Sequence, residues 1–132
     1  MSKESSSFLI RDQYGLCAGL HYHLDIYDCN FTNDIEYIRN SLKDATEKAR
    51  ATLLSINLHA FDNYGGVSGV AILAESHISI HTWPELCFAA LDVFMCGNTF
   101  PEKAIASLNQ AFGSKNSICY RYRRGDKIEQ YV

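Results

Sequence analysis

The chain has 132 residues, of which 47% are hydrophobic and 20% charged, and its formal net charge is -3 at pH 7. This length and composition predict a single compact domain, and so small a domain favours a second copy of the chain for enclosing a pocket. The acidic balance argues against a nucleic-acid partner, which would need clustered Lys and Arg. The one basic cluster, at Arg121, Arg123 and Arg124, is interpreted as solvated charge at the end of a strand.

Residues 1–11 are polar and serine-rich, with no apolar run long enough for a signal peptide or a membrane span. We therefore expect a cytoplasmic protein with no membrane partner. Residues 1–16 are predicted to form a flexible N-terminal arm, and residues 17–132 the single domain. The five cysteines are odd in number and include no C-x-x-C pair, which indicates neither a disulfide framework nor a zinc knuckle.

Alternating apolar and polar residues predict the first strand at 19–27, with His21 and His23 on its polar face. Two histidines on one strand face, with no third ligand near them in the sequence, are interpreted as solvated or hydrogen-bonded. Asn33 and Glu36 then have the spacing of a helix cap, and the helix they begin is predicted to run to about residue 50.

The remaining elements follow from alternation, turn residues and caps: strands at 52–58, 67–74, 75–83, 87–97 and 117–122, and a helix between Thr99 and Gly113. None of the usual turn residues separates the strands that meet at positions 74–76. The order of elements predicts an α+β fold, a two-layer sandwich with a mainly antiparallel sheet and helices on one face.

The residues with the greatest chemical capacity lie in one predicted strand, AESHISIHTWPE at positions 74–85. His77, Ser79 and His81 alternate there with isoleucines, which is the period of a strand with one polar face. Two imidazoles and two hydroxyls beside a Glu-Ser bond exceed what a solvated face requires. We therefore expect the functional site in this run.

Two kinds of chemistry fit this run poorly. His77 and His81 have the H-x-x-x-H spacing of a metal site, but on a strand they lie about 13 Å apart at about 3.3 Å per residue. Ser68 lies in G-V-S-G, which lacks the G-x-S-x-G pattern of a nucleophile elbow. A metal-dependent hydrolase predicts sensitivity to chelators, and a non-enzymatic ligand-binding module predicts an intact chain that tolerates Ser76→Ala.

A third kind of chemistry uses the Glu75-Ser76 peptide bond itself. A serine hydroxyl held against the preceding carbonyl in a strained connection can attack it and shift the acyl group from nitrogen to oxygen. A base then eliminates the ester and leaves a pyruvoyl group at the new N-terminus. Such a group forms a Schiff base with an amine and acts as an electron sink, as pyridoxal phosphate does in other enzymes.

The stretch GVSGVAILAESHISIHTWPE, continued by AALDVFMCG, resembles the core of the prokaryotic S-adenosylmethionine decarboxylases, small pyruvoyl enzymes of polyamine biosynthesis. The G-x-H at 19–21 and the Tyr-Asp-Cys at 27–29 match the same family, so the resemblance covers roughly residues 18–124. It implies the family's fold, a small-molecule substrate, and paired αβ protomers with active sites near the dimer interface. It also implies a pyruvoyl cofactor generated from Ser76, with neither PLP nor a metal.

The resemblance implies cleavage of the proenzyme, or zymogen, between Glu75 and Ser76. The products would be a β chain of residues 1–75 and an α chain of residues 76–132 that begins with the pyruvoyl group.

Three more residues match positions of known role in the family. Ser68 matches the hydroxyl that supports the acyl shift, and His81 the base that takes the α-proton in the elimination. Cys96 matches the acid that protonates the carbon left after CO2 departs. A neutral thiol is needed for that role, so we expect no strong thiolate stabiliser around Cys96.

The substrate-binding positions are implied in the same way. Glu85 matches a carboxylate that holds the ribose hydroxyls, and Phe61 or Tyr64 is placed to stack on adenine. The loop also carries Asp62, and an acidic group such as Asp62 or Asp25 would suit the distal cation of ornithine or arginine. The expected substrate is S-adenosylmethionine, with decarboxylation of L-ornithine or L-arginine as the alternative.

Overall fold

The computed structural model describes residues 9–61, 65–113 and 115–132. Within these ranges the chain forms two short 3-10 turns, Pro84–Leu86 and Ile128–Tyr131, besides its strands and α-helices. The helices are α1 (Ile35–Lys48) and α2 (Pro101–Ala111), and the strands are β1 (Ile10–Asp12), β2 (Gly15–Cys17), β3 (Gly19–Tyr27), β4 (Leu53–Ala60), β5 (Val67–Leu73), β6 (Ser76–Trp83), β7 (Phe88–Met95) and β8 (Asn116–Arg124).

Six strands form one antiparallel sheet in the order β4-β5-β6-β7-β3-β8. The two helices pack against each other and against one face of this sheet. Side chains along β6 alternate between the two sheet faces, because Ile78 and Ile80 are fully buried while Ser79 between them is not. Ile38 and Leu42 of α1 are likewise fully buried. The predicted α+β two-layer fold is confirmed.

The other sheet face, here called the open face, is not covered by the helices. It carries polar residues of β3, β6 and β7 together with exposed apolar side chains on the outer strands. The exposed apolar residues include Ile72 on β5 and Ile118, Tyr120 and Tyr122 on β8, each between 42% and 49% exposed. Apolar side chains exposed on one sheet face can mark an interface.

Part of the predicted N-terminal arm has regular structure. Residues 10–17 form the β1–β2 hairpin, in which Cys17 is buried, while residues 1–8 lie outside the described ranges. Arg123 forms ion pairs with Asp12 of the hairpin and with Asp126, and its side chain is only 14% exposed. The interpretation of Arg123 as solvated charge is therefore wrong, because this guanidinium joins the hairpin to β8.

Both helices begin one residue away from their predicted caps. Asp34, not Asn33, caps α1, and its side chain accepts a hydrogen bond from the amide of Tyr37. At α2 the residue before the first turn is Phe100, and Thr99 donates its hydroxyl proton to the Cys96 carbonyl instead of capping the helix. Among the described helices, none is long and apolar enough to cross a membrane.

Candidate active site

The turn between β5 and β6 consists of Ala74 and Glu75, and it has an unusual backbone. Glu75 has φ of 58°, in the left-handed region that L-residues with side chains rarely adopt. The Ala74 amide donates a 2.8 Å hydrogen bond to the Thr52 carbonyl, which fixes the turn against the segment before β4. This turn therefore forms without Gly, Pro or Asn, and it holds Glu75 in a strained backbone conformation.

Cys96 and Ser76 both lie beside the Glu75 carbonyl. The Cys96 thiol donates to the Glu75 oxygen over 2.8 Å. Ser76 is only 7% exposed, and its Oγ is buried without a well-formed hydrogen bond to any of the described residues. The carbonyl is thus polarised by one side chain, while the hydroxyl that follows it keeps its lone pairs unengaged.

The surroundings of Cys96 keep its thiol neutral. Burial raises the pKa of Cys96, the nearby Ser76 hydroxyl opposes that shift, and the negative charge of Glu75 adds to it. The net direction is upward, so the thiol holds its proton at neutral pH. This is the protonation state that a proton donor requires.

A cleft of about 260 Å³ opens beside this turn. Its walls include four polar residues that the sequence did not indicate as site residues, namely Arg50, Thr52, Asn98 and Thr99. They come from the segments after α1 and after β7, which only the folded chain places next to Glu75. The cleft is small and open for a ligand-binding site, so one chain does not enclose a substrate there.

Ser68 and His81 form a second cluster. They are partners in the β5–β6 register, and the Ser68 hydroxyl lies 2.9 Å from Nδ1 of His81. This pair lies on the open face, five residues along β6 from Ser76, which corresponds to about 16 Å. The structure therefore brings Ser76 together with Cys96 and brings Ser68 together with His81, but it separates the two pairs within one chain.

Two of the expected substrate-binding residues, Glu85 and Phe61, lie at the Ser68–His81 end of the sheet. Glu85 is exposed in the 3-10 turn that follows β6, and Phe61 is 52% exposed just after β4. The Phe61 ring meets the His59 ring edge-to-face at 4.6 Å. Asp62 and Tyr64 lie outside the described residues.

Comparison with known proteins gives one consistent family. A family model described as S-adenosylmethionine decarboxylase matches residues 20–125. The chain is 44% identical over 110 residues to the S-adenosylmethionine decarboxylase proenzyme of Thermodesulfovibrio yellowstonii, covering 81% of each protein. It is 46% identical over 110 residues to that of Prochlorococcus marinus, covering 81% of this chain and 87% of the relative.

A solved structure is also similar. The crystal structure of the adenosylmethionine decarboxylase from Aquifex aeolicus superposes with a TM-score of 0.71 at 34% sequence identity. The match covers 81% of this chain and 90% of that one.

Proposed function

This chain belongs to the S-adenosylmethionine decarboxylase family, and from that premise we propose that it is a self-processing, pyruvoyl-dependent decarboxylase. Its proposed reaction converts S-adenosylmethionine to CO2 and decarboxylated S-adenosylmethionine, an aminopropyl donor for spermidine biosynthesis. The observation that carries the proposal is the β5–β6 turn. There Glu75 has a strained backbone, the Cys96 thiol donates to its carbonyl, and the hydroxyl of Ser76 is buried without a well-formed hydrogen bond to the described residues.

The chain's own residues account for the proposed cleavage. The Ser76 Oγ attacks the Glu75 carbonyl carbon, and the peptide C–N bond breaks as the ester forms. The imidazole of His81 then takes the α-proton, which breaks the ester's Cβ–O bond and leaves Glu75 as a carboxylate. The resulting dehydroalanine becomes an imine, which water hydrolyses to the pyruvoyl ketone with loss of ammonia.

Decarboxylation would then rely on both the new group and Cys96. The pyruvoyl group supplies the electron sink for the bond that CO2 leaves behind. The neutral Cys96 thiol beside residue 76 holds the proton that the substrate carbon needs.

Two chains are proposed to build each site. Within one chain His81 is about 16 Å along β6 from the serine whose proton it must take, well beyond direct contact. If two open faces pack about a twofold axis, the partner's Ser68–His81 end meets the Glu75–Ser76 turn, and two identical sites result. The exposed apolar residues of the open face support this assembly, since they would be buried by it.

The same arrangement would bring the substrate-binding residues to the turn. Glu85 is proposed to hold the ribose hydroxyls, and Phe61 or Tyr64 to stack on adenine. The relatives named as S-adenosylmethionine decarboxylases support this substrate.

A cytoplasmic location is part of the proposal. All five cysteines are unpaired, and two of them, Cys87 and Cys119, are exposed. Unpaired thiols on a surface fit a reducing compartment.

Intact-mass measurement of the purified protein tests the proposal. We expect two fragments that divide at Glu75-Ser76, with the second lighter by one ammonia than a serine-started peptide. Ser76→Ala should remain a single chain, whereas the matched control Ser117→Ala, at an exposed position on β8, should divide normally. A single uncleaved wild-type chain would sink the proposal.

Product detection then tests the substrate. S-Adenosylmethionine, ornithine and arginine are offered separately to the processed enzyme, and the product and CO2 are measured. Turnover of S-adenosylmethionine alone supports the proposed reaction, and turnover of only an amino acid contradicts it.

A further inference from the structure

A cluster of possible metal ligands lies on the open face, level with the middle of β6 and between the two pairs of the candidate active site. His21 and His23 stand on β3, and Asp92 stands on the adjacent strand β7, directly opposite His23 in the register. The three residues bring one ligand atom each to within 4.8 Å of one another. The folded sheet thus supplies the third ligand that the two histidines lack in the sequence.

The distances in this cluster suit a shared ion better than direct hydrogen bonds. Oδ1 of Asp92 is 3.7 Å from Nε2 of His21 and 3.6 Å from Nε2 of His23. Both separations exceed the usual range for a hydrogen bond, which ends at about 3.2 Å. Two ligands on one tetrahedral zinc ion, each bonded at about 2.0–2.1 Å, lie about 3.4 Å apart. Small side-chain adjustments would therefore place all three atoms on one ion.

Two further features prepare the cluster for an ion. Nε2 of His21 is buried and has no hydrogen-bond partner among the described residues, which leaves a buried lone pair or proton unsatisfied. The Ser79 hydroxyl donates a 3.0 Å hydrogen bond to Oδ2 of Asp92, which leaves Oδ1 to face the histidines. Hydrogen-bonded support of this kind orients the ligands in metal sites.

Aromatic neighbours restrict the two imidazoles. The His21 ring meets the His23 ring edge-to-face at 4.6 Å and the Phe94 ring at 5.6 Å. The His23 ring packs against Tyr122 at 5.1 Å. Rings held in this way lose little further freedom when they bind an ion.

We propose that His21, His23 and Asp92 form a binding site for a divalent transition-metal ion of the zinc type, with one coordination position left for water. Two imidazoles with one carboxylate select a borderline ion such as Zn²⁺ over Mg²⁺ or Ca²⁺, which prefer oxygen ligands. The ion would join β3 to β7 across the middle of the sheet. This proposal does not depend on the decarboxylase chemistry.

The test is titration of EDTA-treated, dialysed protein with Zn²⁺ by calorimetry and with Co²⁺ by visible absorption. We expect one ion per chain and a Co²⁺ spectrum of four-coordinate type. The melting temperature should rise with Zn²⁺, because an ion that binds only the folded state stabilises it. Mg²⁺ at the same concentration should leave the melting temperature unchanged.

Variants locate the ion. His23→Ala and Asp92→Asn should each weaken Zn²⁺ binding by more than about 10-fold, whereas His59→Gln, at an exposed histidine of β4, should bind as the wild type does. Ser76→Ala should also bind normally, which separates this proposal from the processing reaction. Circular dichroism of each variant confirms folding.

Absence of one-to-one Zn²⁺ binding by the wild type would overturn the proposal without reference to any variant. Binding that survives both His23→Ala and Asp92→Asn, or that His59→Gln abolishes, would overturn it as well.

Discussion

Co-expression of two inactive variants tests whether each candidate site is built from two chains. Ser76→Ala lacks the serine that is cleaved but keeps Ser68 and His81, while His81→Ala keeps the cleavable bond but lacks the base. Neither variant alone should divide. In a mixed dimer, however, the His81→Ala chain meets an intact Ser68–His81 pair from its partner and should be cleaved.

The structure determines how many His81→Ala chains should be cleaved. His81 is five residues along β6 from Ser76, about 16 Å away, so the base of one chain cannot act on the serine of the same chain. If the two variants are made in equal amounts and pair at random in a twofold dimer, about half of the His81→Ala chains have a Ser76→Ala partner. About half of the His81→Ala chains should therefore be cleaved, and essentially none of the Ser76→Ala chains.

The assay uses a different affinity tag on each variant and measures intact mass after denaturation, before and after tandem purification of mixed dimers. After that purification essentially every His81→Ala chain should be cleaved. Ser117→Ala replaces His81→Ala in the control and should divide without a Ser76→Ala partner, because Ser117 is exposed on β8 and belongs to neither pair. The reasoning is refuted if purified mixed dimers remain uncleaved, or if His81→Ala divides normally by itself.

Three further outcomes follow from the geometry. Burial raises the pKa of Cys96, and the protonated thiol is the active form. Turnover that is limited by this proton transfer should therefore persist as the pH passes about 8.5, where ordinary cysteines ionise. A turnover rate that already falls near pH 7 contradicts this. Cys96→Ala should lower steady-state turnover by about 10²–10⁴-fold, and Cys119→Ala, at an exposed position on β8, should not. Tyr22→Phe removes a 2.5 Å hydrogen bond from the buried hydroxyl to Glu102 and should cost about 1–2 kcal/mol in urea unfolding; an unchanged midpoint would show that the bond adds nothing.

Local patterns were sufficient to predict most of the fold. Strand β3 and strand β6 follow from strict alternation, and α1 from a cap and an apolar stripe, each of which is complete within a few residues. The β1–β2 hairpin was missed because its strands have three residues each and Asp12 is held by Arg123, from the far end of the chain. No pattern within the first sixteen residues contains that contact.

The candidate site was likewise predictable only in part. The Glu75-Ser76 bond, His81 and Cys96 stand out in the sequence through composition and resemblance. Their relative positions do not, because the contact between Cys96 and Glu75 depends on how β7 passes the β5–β6 turn. The pairing of Asp92 with His23 likewise depends on β7 lying next to β3 in the sheet.

The strand order has a consequence for the lifetime of the processed molecule. Strands β1–β5 precede the Glu75-Ser76 bond and β6–β8 follow it, yet β3 lies between β7 and β8 in the sheet. The two fragments are therefore interleaved, and neither can leave without losing two rows of backbone hydrogen bonds along β3. The intact precursor folds as a single chain, which is a unimolecular reaction. The divided protein must reassemble from two fragments, so its refolding rate falls with dilution. The proposed cleavage would thus turn a reversible fold into one that is retained mainly by its slow unfolding.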